Sequence, residues 1–258
     1  IAPESDGMLT ERLKALQASR WSHASSFNVP WQLAEVFTDK RATYDWLSER
    51  GFVTPTTWTL PEFLSTSRVP SPSTSVFILK PRDGAGSDRV QCLSLEQLHH
   101  VIAMSPSGEH DRWIVQPHIP GQACSFGLIG GGDGRLSTIL PGAFQKIAEN
   151  SGALSYRGGI VPCDRQLQEF ITPLAFRMRQ ALGAFRGYIG VDVVVPAGGV
   201  NSAEQVQTSC NAAHVIEVNP RLCTSYVGYQ MLCRQNLARK ILCLPSPDLE
   251  WYDGNIEF

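Results

Sequence analysis

"GYIGVDVVV", residues 187–195, is an apolar run that contains one carboxylate, Asp192. A second apolar run, residues 214–218, follows after a polar turn rich in Gly, Ser, Asn and Gln. Runs of β-branched residues predict strands, and the turn between these two favours an antiparallel pair. We therefore expect an α+β fold with mainly antiparallel sheets and not a doubly wound parallel sheet.

The second strand continues as "VIEVNPRLCTSY", residues 215–226. Residues two apart in a strand face the same way, so Glu217 and Asn219 share a face, which Asp192 joins if the strands pair. Two carboxylates and an amide oxygen are hard ligands that suit Mg²⁺ carrying nucleotide phosphates. Each residue alone is better explained by a solvated strand face, whereas the three together with Arg221 favour a metal site. A carboxylate in a cleft adds little packing, so we expect Glu217→Ala to leave the fold intact.

A third informative segment is "FILKPRDGAGSDRV", residues 77–90. Its predicted strand ends at Lys80, and the loop that follows contains Gly84, Ala85, Gly86 and Ser87. A lysine beside a glycine-rich loop supplies a cation and free backbone N–H groups to phosphates. The spacing matches neither the P-loop pattern nor G-x-G-x-x-G, and an ordinary surface turn after a strand is the alternative.

Bulk composition excludes several classes of protein. The chain has 258 residues, of which 43% are hydrophobic and 18% charged, and its net charge is −2. This charge does not indicate a non-specific nucleic-acid or membrane-surface binder, and no apolar run reaches the ~18 residues that span a bilayer. The seven cysteines include no C-x-x-C pair, which favours reduced thiols in a cytoplasmic protein. The chain starts without Met or a signal pattern, so we expect an excised or processed piece.

Periodicity and capping residues predict the remaining elements. Asp39 is the expected N-cap of a helix that ends at Gly51. The other predicted helices cover residues 8–20, 94–103, 165–186 and 225–242. The other predicted strands cover residues 76–80, 113–116, 124–129 and 136–140, with a flexible turn at residues 130–134. Tyr156 to Gly159 is expected to form a substrate-side loop with Gln145 and Lys146 on the same wall, and a solvated loop is an equal alternative.

The order of these elements resembles the ATP-grasp superfamily over residues 38 to 240. The likeness is carried by Thr38-Asp39-Lys40, "FILKPRDGAGSDRV", "WIVQPHIPGQACSFGLI" (residues 113–129), "GYIGVDVVV" and "VIEVNPRLCTSY". Within the superfamily the chain is similar to carboxylate–amine ligases of the tyramine–glutamate ligase type, which are associated with methanofuran-like cofactor synthesis. "IAPESDGML", "GFVTPTTW" and "NPRLCTSYVG" carry that closer likeness.

The resemblance implies an ATP-grasp fold of two α+β subdomains with ATP between them. Residues 1–40 would be the remnant of a truncated N-terminal pre-ATP-grasp domain. Residues 41–115 would form the small lid subdomain, and residues 116–258 the large subdomain with the metal and phosphate site.

The resemblance also implies roles for individual residues. Lys40 and Lys80 would contact the phosphates of ATP, and residues 84–87 would close over them. The hinge that holds adenine would be Gln116, Pro117, His118 and Ile119. Asp192, Glu217 and Asn219 would bind Mg²⁺ or Mn²⁺. Arg221 and Lys80 would be catalytic, because they stabilise charge on the transferred phosphoryl group. A substrate carboxylate would be held by Arg157, Thr224 and Ser225. Many family members have acidic residues where Gln116 and Gln122 stand, and an amide at Gln122 can still hydrogen-bond ribose.

These implications predict an ATP-dependent ligase that acts on a small-molecule carboxylate and an amine through an acyl phosphate. Glutamate or a similar amino acid is the expected acid, in the synthesis of a one-carbon, methanofuran-like cofactor. The alternatives are a nucleotide-binding ATP-grasp module without ligase activity and a ligase that uses ammonia or bicarbonate. No nucleic-acid or membrane partner is expected, and a homo-oligomer is left open.

Overall fold

The computed structural model describes residues 5–20, 26–66, 76–84, 89–196 and 213–258. Its α-helices are α1 Met8–Ala18, α2 Trp31–Thr38, α3 Lys40–Glu49, α4 Leu60–Ser65, α5 Leu95–Met104, α6 Arg165–Leu182, α7 Ser225–Leu232 and α8 Leu237–Ile241. Its strands are β1 Trp58–Thr59, β2 Val76–Pro81, β3 Gln91–Ser94, β4 Trp113–Pro117, β5 Gly121–Leu136, β6 Thr138–Ile139, β7 Ala143–Asn150, β8 Ala153–Val161, β9 Ala184–Pro196, β10 His214–Asn219 and β11 Ile256–Glu257. Short 3₁₀ segments cover Ser5–Gly7 and Ser107–Arg112.

The strands form one sheet with the order β1-β4-β2-β3-β8-β7-β5-β9-β10, while β6 pairs with β5 and β11 with β8. Every pairing among the described strands is antiparallel. The expected α+β fold with antiparallel sheets is therefore confirmed. In the described part of the chain, no helix is both long and apolar enough to span a bilayer.

The sheet consists of two halves joined by a narrow connection. We call β1, β4, β2 and β3 with α4 and α5 the small half, and β8, β7, β5, β9 and β10 with the remaining helices the large half. The strand pairing between them consists of one residue pair, Gln91 with Ala153. Two backbone hydrogen bonds flank that pair, from Cys92 N to Gly152 O at 2.6 Å and from Leu154 N to Val90 O at 3.1 Å.

Three hydrophobic clusters form the core. One lies in the small half and includes Phe77 and Leu98. The other two lie in the large half, and one of them also takes in Leu13 of α1, Phe37 of α2 and Leu47 of α3. The predicted boundary at residue 41 therefore does not coincide with a change of cluster. The division into three segments stays a prediction.

Capping residues set the ends of α3, as the sequence predicts, and also the start of α5. Asp39 caps α3 by accepting hydrogen bonds from Arg41 N at 2.8 Å and Ala42 N at 3.2 Å. Gly51 follows the helix with a φ of +70°, a conformation that glycine adopts without strain. Ser94 caps α5 in a reciprocal capping box with Gln97.

Three predicted element boundaries differ from the structure. The glycines of the predicted turn at 130–134 lie within β5, where a Cβ at Gly130 would approach Phe185 O to 2.4 Å. The helix predicted over residues 225–242 is broken into α7 and α8, because Cys233 leaves the helix to form a bridge with Trp251. The helix predicted to residue 186 ends at Leu182.

The hairpin of β7 and β8 was not expected as a pair of strands. The segment from Tyr156 to Gly159, predicted as a loop, lies within β8. The strand predicted over residues 136–140 is reduced to Thr138–Ile139. None of the six described cysteines forms a disulfide, and Cys210 lies outside the described residues.

Candidate active site

A cavity of about 660 Å³ opens where the two halves face each other. The small half lines it with Ile78 and Lys80 of β2 and Gln116 of β4, and the large half with Asp192 of β9 and Glu217 of β10. The volume lies within the range of small-molecule sites. The buried charges of the two halves meet in this cavity.

Lys80 is the buried cation of the small half. Strand alternation places it on the same face of β2 as Ile78, and its side chain is only 4% exposed. Burial lowers the pKa of Lys80 to about 8, although Glu217 and Asp192 act in the opposite direction and Lys40 adds to the lowering. A buried ammonium of this kind has a strong requirement for nearby anions.

Lys40 reaches the same cavity region from the first residue of α3. Its Nζ lies 3.2 Å from Glu217 Oε1 and donates a hydrogen bond to Gly84 O at 3.0 Å. The start of α3 is fixed to the end of β2, because Arg82 makes a bidentate ion pair with the capping carboxylate of Asp39, with Nε–Oδ1 at 3.0 Å and Nη2–Oδ2 at 2.7 Å. The Asp39–Arg82 pair was not identified from the sequence.

Asp192 and Glu217 lie side by side in the large half. They are register partners in β9 and β10, with an irregularity between Val215 and Glu217, and both line the cavity. Burial and the adjacent charge of Glu217 raise the pKa of Asp192 to about 6. Burial alone would raise the pKa of Glu217, but Lys40 and Lys80 outweigh it and the pKa is lowered.

Asp192 is the centre of a chain of polar side chains. Its Oδ1 accepts from Gln145 Nε2 at 2.7 Å, and its Oδ2 accepts from Asn219 Nδ2 at 2.9 Å. Asn219 Oδ1 in turn accepts from Arg221 Nη2 at 3.2 Å. Asn219 is 4% exposed, and these bonds determine which way its amide oxygen faces.

The donor set fits a divalent cation. Burial and, after it, the neighbouring charge of Glu217 raise the pKa of Asp192, and a hard cation between the two carboxylates would favour their ionised forms. Within the described residues, no group of three or more His, Cys, Asp or Glu side chains gathers in one place. The protein oxygens available here, from Asp192, Glu217 and Asn219, are few, so ligand and water oxygens would complete the coordination.

The predicted hinge residues Gln116, Pro117, His118 and Ile119 all line the cavity. Gln116 is buried, and its Nε2 donates to Thr57 Oγ1 at 2.7 Å. The backbone N–H of His118 is used within the sheet, where it donates to Val76 O at 3.0 Å. Among the predicted substrate residues, the cavity wall includes Thr224 and Ser225.

Two predicted ligand residues lie outside the cavity lining. Gln122 is exposed, because Gly121 and Ala123 on either side of it face the cavity and alternation turns Gln122 the other way. Arg157 is likewise exposed, whereas its neighbour Tyr156 lines the cavity.

Other expectations for the cavity wall have mixed outcomes. Gln145 lines the wall, as expected, but Lys146 does not and pairs with Glu257. Cys223 lines the cavity and was not identified from the sequence, where it showed only as part of the segment after Asn219. Gly84 is described, while Ala85, Gly86 and Ser87 of the predicted phosphate loop lie outside the described residues.

Comparison with known proteins agrees with the geometry. The family model for the ATP-grasp domain matches residues 37–225. A search of curated protein sequences found no significant match.

Several solved structures share the fold. An ATP-grasp superfamily protein from Archaeoglobus fulgidus has a TM-score of 0.65 and 22% identity, with 96% of this chain and 65% of that one covered. N5-carboxyaminoimidazole synthetase from Staphylococcus aureus, complexed with ADP, has a TM-score of 0.67 and 14% identity, with coverages of 96% and 61%. The biotin carboxylase domain of 2-oxoglutarate carboxylase from Hydrogenobacter thermophilus, a dimer with MgADP, ADP and bicarbonate, has a TM-score of 0.68 and 14% identity, with coverages of 91% and 51%.

The chain thus spans between 51% and 65% of the length of these three structures. At such identities the likeness concerns the fold, whereas the family model covers most of the chain. The chain belongs to the ATP-grasp domain family.

Proposed function

We propose that this chain binds ATP between its two halves and catalyses the ATP-dependent joining of a carboxylate to an amine. One observation carries the proposal: buried Lys80 and the partly buried carboxylates of Asp192 and Glu217 line one cavity, and buried Lys40 contacts Glu217 at 3.2 Å. Burying a charge costs free energy unless an opposite charge compensates it, and clusters of buried charges are therefore found most often at functional sites. The family match and the ADP bound to two similar structures support a nucleotide as the ligand.

Binding of ATP would use cations from both halves. The polyphosphate chain needs positive charge and backbone donors, which Lys40, Lys80 and the predicted loop at residues 84–87 would supply. Asp192, Glu217 and Asn219 would hold Mg²⁺ or Mn²⁺, which would neutralise charge on the phosphates. The predicted hinge from Gln116 to Ile119 would receive the adenine.

The reaction that we propose needs no nucleophilic side chain. A substrate carboxylate oxygen attacks the γ-phosphorus, the bond to ADP breaks, and an acyl phosphate forms. The amine nitrogen then attacks the acyl carbon, phosphate leaves, and the nitrogen loses a proton. Lys80 and Arg221 would stabilise the charge of the transferred group, and the cavity walls would align the reactants.

The proposed acid is an amino acid with a second carboxylate. Similarity to the tyramine–glutamate ligase type supports an amino acid such as glutamate, and a role in methanofuran-like cofactor synthesis is proposed on that similarity alone. A second carboxylate on such a substrate must be held while the first reacts. Because Arg157 is exposed outside the cavity lining, this role passes to the hydroxyls of Thr224 and Ser225.

The test is ADP release measured with a panel of acids and amines. We expect turnover that depends on ATP, on a divalent cation, on one acid and on one amine together. Arms with ammonia and bicarbonate identify the alternative ligases. Nucleotide binding without ADP release in any arm would instead support the module without ligase activity, and no nucleotide binding would contradict the proposal.

A further inference from the structure

Gln145 occupies a position that none of the roles above uses. It lies on β7, yet its Nε2 donates to Asp192 Oδ1 of β9 at 2.7 Å. β5 separates β7 from β9 in the sheet. The bond therefore spans two strand spacings, about 10 Å between the outer backbones.

This contact requires small side chains on the intervening strand β5 and a long side chain at position 145. The β7–β5 register, in which Phe144 pairs with Cys124, places Ala123 between Gln145 and β9 on the cavity face. Ala123 and Ser125, which pair with Val194 and Asp192 of β9, are both small enough for the Gln145 side chain to pass over β5 toward Asp192. An asparagine at position 145 would be one methylene shorter, so it could not span the same distance.

We propose that Gln145 is a positioning residue for phosphoryl transfer, and that it acts by holding Asp192 so that Asn219 and Arg221 take their working orientation. This inference rests on the proposed function for its catalytic meaning. The hydrogen bond from Gln145 fixes one carboxylate oxygen, which leaves the other to accept from Asn219 Nδ2 at 2.9 Å. Asn219 Oδ1 is thereby turned toward Arg221 Nη2, at 3.2 Å.

Gln145 thus makes β7 part of the site, although the predicted ligands all lie on β9 and β10. The same hairpin contacts the small half at its tip, where Cys92 N donates to Gly152 O at 2.6 Å. One hairpin therefore contacts both the small half and the carboxylate centre.

Kinetics of Gln145→Ala provide the first test. We expect kcat to fall about tenfold to a hundredfold, the loss of one hydrogen bond to a charged group, with the KM for MgATP changed less than about threefold. Gln145→Asn should resemble Gln145→Ala. The matched control is Gln168→Ala, which removes a glutamine that bonds Gly142 backbone atoms outside the cavity and should leave both constants within about threefold.

A double-mutant cycle tests whether Gln145 acts through Asp192. In an Asp192→Ala background, Gln145→Ala should change the remaining rate less than about twofold, because its partner is already gone. If the double variant loses rate by the product of the two single-variant reductions, the two residues act independently and the inference is overturned. Wild-type kcat in Gln145→Ala or Gln145→Asn would overturn it as well.

A ligand-free crystal structure of Gln145→Ala decides the question without any activity. We expect the Asp192 carboxylate to rotate and the bonds from Asn219 to Asp192 and from Arg221 to Asn219 to lengthen or break. An unchanged arrangement would overturn the inference even if the enzyme is active. If wild type binds no nucleotide, the proposed function fails, while this structure still shows whether Gln145 holds Asp192 and Asn219.

Discussion

The two halves of the molecule bury charge in different ways. The small half contributes one cation, Lys80, whose compensating anions, Glu217 and Asp192, belong to the other half. The large half contributes both carboxylates and also Lys40, which contacts Glu217 directly at 3.2 Å. The small half is therefore left with a net buried positive charge unless the large half faces it. A ligand that carries both phosphates and a divalent cation suits such a divided site, because it offers each half the opposite charge.

Removing the charge of Glu217, which compensates both Lys40 and Lys80, should have the largest effect on stability. Glu217→Gln leaves Lys40 and Lys80 without their main compensation, so we expect the free energy of unfolding to fall by about 3–5 kcal/mol. The expectation that Glu217→Ala leaves the fold intact is revised on the same ground, since Glu217 pairs with a lysine that is 8% exposed. Urea denaturation measures the change.

The exposed ion pair between Lys14 and Glu35 gives the matched control. Its side chains are 44% and 53% exposed, so Glu35→Gln should cost less than about 1 kcal/mol. Equal losses in Glu217→Gln and Glu35→Gln would show that the buried pair contributes no more than a surface pair.

Removing the cation of the small half should stabilise the ligand-free protein. The pKa of Lys80 is about 8 in the folded protein against 10.5 for an ordinary lysine, so keeping it charged costs about 3 kcal/mol below pH 8. The unfolded chain binds the extra proton between these values, and wild-type stability should therefore rise with pH across that window. Lys80→Met should be more stable than wild type at pH 7, and the difference should shrink toward pH 10.5.

Denaturation of both proteins at pH 7 and near pH 10 measures this difference. Lys14→Met, at an exposed position, should show no comparable pH-dependent gain. A gain in Lys80→Met that stays constant with pH would mean that packing, and not the charge, causes it.

The smallest effects compare a helix cap beside the cavity with one away from it. Ser94→Ala, at the start of α5, should lower the free energy of unfolding by about 1 kcal/mol without changing nucleotide affinity. Asp39→Ala should cost about 2 kcal/mol, because it removes the α3 cap and the ion pair with Arg82 together. Only the second should weaken nucleotide binding, since Lys40 is the first residue of that helix. Calorimetric titration measures the nucleotide affinity of both variants. Equal affinities in Ser94→Ala and Asp39→Ala would show that the α3 cap does not contribute to nucleotide binding.

Much of the large half could be predicted from the sequence, because the patterns that indicate its strands lie within short stretches of the chain. Alternation along β10 puts Glu217 and Asn219 on one face, and the apolar run around Asp192 predicts its partner strand. The structure brings these residues together in the cavity, although their ligand roles stay predictions.

The contacts that the sequence did not reveal are those between distant strands. Gln145 reaches Asp192 over an intervening strand, a contact of 47 residues in sequence separation that no local pattern encodes. The Asp39–Arg82 pair likewise joins a helix to a strand end 43 residues away. Gln122 and Arg157, which lie outside the cavity lining, are on strands where one step in register decides whether a side chain faces the cavity or the solvent.

The central claim is that the cavity between the halves holds the phosphates of ATP. Its most direct test is calorimetric titration of a non-hydrolysable ATP analogue, with Mg²⁺, into wild type, Lys80→Met and Lys14→Met. We expect wild type and Lys14→Met to bind equally well and Lys80→Met to bind about tenfold to a hundredfold more weakly, the loss of a charged contact to phosphate. Equal affinity in all three proteins, or no binding to wild type, would contradict the claim.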